Sequence, residues 1–187
     1  MAFECYVRVY LPLDSSGKPS TDTFGRYDLQ IQSKNGKKLE FDSHTKIVNP
    51  VFSFDGISGV GYVRIFAPAN TNKVYRNHKL AGMYQFTAPD SKVTSFIDYL
   101  KDNLTYSSTY SNSYCSTYRV NDNGWKQYTT ARKNSFGATA TWCYKLGMDK
   151  LYTIYNKAAS VSNYMKYAAW KLFDAMYEYW QFVKIYK

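Results

Sequence analysis

The sequence predicts an α+β fold, an N-terminal antiparallel β-sheet followed by a mainly helical C-terminal half. Three observations carry that prediction. Before Pro89, apolar residues recur at every second position between turn-forming stretches, the period of half-buried strands. After it they recur at three- and four-residue spacing, the period of amphipathic helices. No period of about 20 to 50 residues repeats, which excludes solenoids and propellers. At 187 residues the chain is one domain's worth, β-rich over 1–89 and helical and Tyr-rich over 90–187.

The elements follow in order. Phe3, Cys5, Val7, Val9 and Leu11 alternate with Glu4, Tyr6, Arg8 and Tyr10, giving a strand near 3–11 with one apolar face. Residues 12–25 collect Pro, Gly, Ser and Asp and form a surface loop. Tyr27, Leu29 and Ile31 mark a strand near 26–33, and Leu39 and Phe41 one near 37–42. Lys34-Asn35-Gly36 joins them as a hairpin. A two-residue turn sets Ile31 against Glu40, whereas a three-residue turn sets Ile31 against Leu39 and Leu29 against Phe41. Cross-strand partners share a face, so the three-residue turn is expected, with Gly36 left-handed in a bulge. Further strands near 46–54 and 60–67 flank Asp55-Gly-Ile-Ser-Gly59.

Val93, Phe96, Ile97, Leu100 and Leu104 then predict a helix, with Asp90 or Ser91 as its cap. The polar, Tyr-rich stretch 105–135 leaves room for one or two short strands around Tyr114 to Val120. Residues 137–157 read as helix interrupted at Gly147, with Asp149 capping the second piece. Val161, Met165, Ala168, Leu172, Met176, Tyr179 and Val183 form the stripe of a long terminal helix. Its readings are a core helix, a partner-binding helix or, given Trp170 and Trp180, a helix at a membrane surface.

Composition narrows the function classes. With 24 Lys+Arg against 14 Asp+Glu the net charge is +10, which favours anionic partners in general. Residues 91–187 hold 14 of the 20 tyrosines and 13 basic against 6 acidic groups. Cations interleaved with rings suit single-stranded nucleic acid, since phosphates take the cations and bases stack on the rings. Glycan or peptidoglycan surfaces use similar Tyr and Trp platforms. No Arg-rich cluster is present, so sequence-specific DNA reading by a recognition helix is not supported. Lysines opposite apolar helix faces also read simply as a solvated side.

Met1 to Tyr10 has Glu4 and Arg8 within the stretch that a signal peptide keeps apolar. The expectation is synthesis in the cytoplasm without a cleavable signal, any export following a leaderless route. No window reaches the roughly 18 uncharged apolar residues of a transmembrane segment. The odd count of three cysteines favours free thiols, with a single Cys115 to Cys143 bridge after export left open.

Chemistry is sparse, with 2 His and 3 Glu in the chain. Gly56-Ile-Ser-Gly59-Val-Gly61 matches neither a phosphate loop nor a nucleophile elbow and reads as a turn. His44 and His78 have no partner ligand at metal-binding spacing, and no carboxylate pair stands out, so no metal or cofactor is indicated. What remains is cysteine with histidine. A thiolate nucleophile needs a base to take its proton and donors for the oxyanion. His44 lies near the end of the predicted hairpin and is the candidate base ahead of His78. Cys143, near a helix start, and Cys115, among polar neighbours, are the candidate nucleophiles. A buried core thiol explains Cys143 equally well.

The order of a His on the β portion and a Cys on a later helix resembles the permuted papain-like hydrolases, relatives of the NlpC/P60 amidases. The resemblance covers residue order and coarse topology. It implies His44 as base and Cys143 or Cys115 as nucleophile. It also implies an effector-type hydrolase of an amide or ester bond, in the bacterial envelope for example. The Gly-His start of the His strand and the Asn-Cys pair at the helix start are missing here. The alternative is a non-catalytic binding or assembly module, a phage or secreted component whose Tyr/Trp-rich basic surface holds glycan, nucleic acid or protein.

Overall fold

The computed structural model describes residues 2–20, 25–130, 132–159 and 183–184. In chain order its elements are β1 (Ala2–Pro12), β2 (Arg26–Ile31), β3 (Leu39–Glu40), β4 (Lys46–Ile47), β5 (Val51–Ile57), β6 (Val60–Phe66) and α1 (Thr71–Val74). They continue with β7 (His78–Pro89), α2 (Asp90–Asn103), β8 (Leu104–Tyr106), β9 (Ser116–Val120), α3 (Ser135–Lys145), α4 (Lys150–Ala159) and β10 (Val183–Lys184). One antiparallel sheet dominates, in the order β10-β7-β1-β2-β5-β6-β9-β8, and β3 and β4 form a small separate ribbon.

The expected division into a β half and a mainly helical half is corrected by this topology. After Pro89, β8 and β9 join the same sheet, β9 pairing with β6 and β8 with β9. The described helices are short and scattered between strands. Polar, Tyr-rich strands carry little apolar alternation, so their membership in the sheet depends on β6, about 50 residues upstream, offering a free edge. The predicted terminal helix lies for the most part outside the described residues. Its last stripe position, Val183, is in the short strand β10, paired with Met83 of β7.

The predicted hairpin is also corrected. β2 pairs with β1 on one side, Ile31 opposite Cys5, and with β5 on the other, Leu29 opposite Phe52. Leu39 pairs with Ile47 instead of Ile31. Both edges of β2 are taken by longer apolar strands, which bury more surface than a local hairpin can. Gly36 is left-handed, at φ 69°, as expected, but within a 3-10 turn.

Other expectations hold closely. Cys5, Val7, Val9 and Leu11 are fully buried on one face of β1. α2 buries Val93, Phe96 and Leu100, although Pro89 occupies the cap position and Asp90 sits in the first turn instead, paired with Lys34. The break between α3 and α4 falls at Gly147, φ 96°, where a left-handed backbone suits glycine. α3 starts earlier than Gly137: the buried Asn134 carboxamide oxygen accepts from the Gly137 amide at 3.0 Å and caps it.

The two faces of the sheet are covered differently. On one, α2, α3 and α4 pack over Val7, Leu29, Phe52, Phe54, Val63 and Ile65. Phe96 meets Phe52 edge-on at 5.6 Å and Trp142 at 6.2 Å. Each such side chain contributes about 1.5–3 kcal/mol by burial. The other face carries a smaller apolar cluster, Tyr10, Val51, Phe66, Tyr75 and Cys115, beside buried charged groups. Arg8, only 5% exposed although its alternation points it away from the helices, is held by Asp28 through bonds of 2.7 and 2.8 Å. The Tyr75 hydroxyl donates to the same carboxylate at 2.9 Å. A buried guanidinium is tolerable there because its charge and its donors are both matched.

Candidate functional site

The face of the sheet opposite the helices leaves a basic recess. Along β6, alternation sends Val63 and Ile65 into the helix-side core and Tyr62 and Arg64 to the opposite face. Across the β6–β9 pair, Arg64 stands opposite Thr117 and Tyr62 opposite Arg119. Arg64 and Arg26 share a single carboxylate oxygen of Asp55, at 3.3 and 3.1 Å. Two cations on one anion leave a net positive charge, unlike the one-to-one pair of Arg8 and Asp28.

Two further cations come from α1 and its exit. The Pro68–Asn70 turn leads into the helix, and Thr71 donates its hydroxyl to the Pro68 carbonyl at 2.7 Å. Asn70 Nδ2 donates to the Tyr114 carbonyl at 3.2 Å, tying α1 to the loop between β8 and β9. That loop is braced internally: Ser111 Oγ donates to the Ser107 carbonyl at 2.6 Å and accepts from the Thr117 amide at 2.8 Å. The Lys73 ammonium lies over the Tyr114 ring at 5.8 Å.

The result is an open cavity of about 260 Å³ whose lining includes Arg64, Lys73, Arg76, Tyr110, Tyr114 and Cys115. Among the described residues, three cations and no carboxylate line it. Tyr110, 44% exposed, stands at its mouth with its ring braced edge-on by Tyr62 at 5.2 Å. An anion entering here meets guanidinium forks, an ammonium and a ring held ready for stacking.

The residues proposed from sequence are spread across the fold. Cys115 is in the wall of this cavity, 6% exposed, and burial raises its thiol pKa despite partial offset by Thr117 and Arg64. Cys143 is in the core on α3, fully buried, and burial raises its pKa well above the ordinary thiol value. Cys5 is likewise buried, pushed up to about 12. His44 is exposed in the turn between β3 and β4, its ring stacked on Tyr106 of β8 at 3.8 Å and nearly parallel, at 2°.

Tyr106 contacts Tyr118, which faces the helix-side core, whereas Cys115 packs with Tyr10, Val51, Phe66 and Tyr75 on the other side. His44 and Cys115 are therefore on opposite sides of the sheet. Cys143 neighbours Cys5 of β1, five strand positions from β8, on the order of 24 Å at about 4.8 Å per strand. His78 Nδ1 bonds to the Arg76 carbonyl at 2.8 Å. Among the described residues neither histidine hydrogen-bonds a thiol. Among the same residues, no three His, Cys, Asp or Glu side chains gather to hold a metal ion.

Sequence reasoning passed over Arg64, Lys73, Arg76 and Tyr110. The basic-aromatic signal was visible, but it pointed to the C-terminal half, whereas the cations of this recess come from residues 64–76 and its rings from 110–114. Compared with known proteins, the chain matches no family model, no curated protein and no solved structure.

Proposed function

We propose that this chain is a non-catalytic binding module for single-stranded nucleic acid, held at the recess of Arg64, Lys73, Arg76 and Tyr110. The observation that carries the reading is the convergence of three cations, with no carboxylate among the described lining residues, on a cavity lined also by an exposed and braced tyrosine. Phosphates take the guanidinium and ammonium groups, and a base stacks on Tyr110. A hydroxyl-rich glycan is matched less well, because the recess lacks carboxylate acceptors for its hydroxyls. Hydrolysis by cysteine finds less support, since the two candidate thiols are buried with raised pKa values and His44 stacks on Tyr106.

The test is fluorescence anisotropy of a labelled oligothymidylate over a range of salt. Three phosphate contacts give a slope of log K against log salt of about −2. Lys73→Ala/Arg76→Ala is expected to reduce the slope to about −0.7 and to weaken binding. Lys37→Ala/Lys38→Ala removes the same charge from an exposed loop elsewhere and is expected to leave the slope near its original value. Absence of binding, or equal effects of the two variants, overturns the proposal.

A further inference from the structure

Two large hydrophobic side chains are exposed among the described residues, Tyr110 and Tyr144, and each stands at an open cavity with cations in its wall. The second cavity, of about 550 Å³, is lined by Lys92, Thr141, Tyr144, Lys145, Asp149 and Tyr152, together with Gly147. Tyr144 is 54% exposed and packed against Tyr152, ring centroids 4.6 Å apart and planes 31° from parallel. Lys145 is placed over the Tyr99 ring at 4.1 Å, which ties its stem to α2. Thr141 donates its hydroxyl to the Gly137 carbonyl at 2.8 Å, leaving its oxygen as an acceptor. The wall is built by the C-terminal half of α3, the Gly147 break, the start of α4 and Lys92 of α2, so it belongs to the helix layer. The Arg64 recess is on the other face of the sheet.

From this pairing we infer that the protein carries a second site for single-stranded nucleic acid at Tyr144, Tyr152, Lys92 and Lys145, and that one chain bridges two strands. The inference rests on the proposed function of the first site. The recurring features are an exposed tyrosine, a second tyrosine bracing it, and lysine or arginine within the same cavity. Asp149 makes the second site weaker than the first, because its carboxylate offsets one of the two lysines. Helix layer and sheet intervene, so a short strand cannot occupy both sites at once. An assembly role follows: two strands held on opposite sides of one protein are brought into a single particle.

The experiment uses the full chain with tetrathymidylate, read by native mass spectrometry and isothermal titration. The expected result is one protein with two oligomers, with two unequal affinities. Tyr144→Ala is expected to weaken the second affinity about tenfold, from loss of stacking, and to leave the first unchanged. Lys92→Gln, on an exposed position of α2, is a milder variant with the same direction. Lys73→Ala/Arg76→Ala is expected to weaken the stronger affinity and leave the weaker unchanged. Asp149→Asn is decisive in sign: removing the carboxylate tightens a phosphate site. A wild-type stoichiometry of one to one, or weaker second-site binding in Asp149→Asn, overturns the second site while leaving the first standing. No binding at either site instead overturns the proposed function itself.

Discussion

The two faces of the central sheet bury the same strands by different means. The helix-covered face does it with hydrocarbon, from Val7 across Leu29, Phe52 and Phe54 to Val63. The opposite face combines a smaller apolar cluster of Tyr10, Val51, Phe66, Tyr75 and Cys115 with paired charge, Arg8 on Asp28 and two arginines on Asp55. The first is indifferent to which partner is lost, since any missing side chain leaves a cavity. The second depends on balance, and where balance fails, beside Arg64, Lys73 and Arg76, the surface is left seeking an anion. The proposed binding site is thus the remainder of an incomplete charge match.

That contrast can be broken most strongly at its centre. Phe52→Ala and Asp28→Ala are each expected to lower stability by about 3–5 kcal/mol in chemical denaturation, the first by a cavity and the second by stranding a buried guanidinium. They differ in rescue. Adding Arg8→Met to Asp28→Leu is expected to restore part of the loss, because an apolar pair of similar volume replaces an ion pair at little net cost, while the buried Tyr75 hydroxyl loses the carboxylate to which it donates. If Asp28→Leu/Arg8→Met is as unstable as Asp28→Ala, the face opposite the helices is held by more than its charge match.

A middle-sized effect concerns the thiols. Cys143 and Cys5 have pKa values raised by burial, so the folded state keeps protons that the unfolded state releases above about pH 8.5. Stability is therefore unaffected by these groups below that pH. Above it stability falls, by about 1.4 kcal/mol per pH unit for each thiol. Denaturation midpoints between pH 7 and 10 measure this, and Cys143→Ala is expected to remove one thiol's share. Iodoacetamide at neutral pH is expected to label neither residue until the protein unfolds. Rapid labelling of native Cys143 that slows in His44→Ala would contradict the arrangement and restore the hydrolase reading.

The smallest effect is on stability at the recess. Lys73 and Arg76 are exposed, so Lys73→Ala/Arg76→Ala is expected to stay within about 0.5 kcal/mol of the parent in denaturation while changing the salt dependence of binding. A large loss of stability would mean that these cations serve the fold.

Much of the local structure was legible in the residues. The alternation of β1, the apolar stripe of α2 and the glycine stop at Gly147 each follow from neighbours within a few positions, where side-chain period and backbone preference act directly. The partner of β2 was not legible. Asn35-Gly36 signals a turn, yet whether β2 then pairs with Leu39 or with Phe52 is a competition between burial areas that lie far apart in the chain. The pairing of β8 and β9 with β6 was hidden for the same reason, since short strands rich in Tyr, Ser and Thr advertise only a weak apolar face. The site was legible only as an excess of cations and tyrosines.

The sequence by itself thus determined the periods, the turns, the positive charge and the scarcity of acid-base groups, because these are properties of residues and of their immediate neighbours. Only the tertiary structure decided which cations meet. It put His44 and Cys115 on opposite faces and drew Arg64, Lys73 and Arg76 to the rings of Tyr110 and Tyr114, because strand pairing joins residues by register and face rather than by distance along the chain.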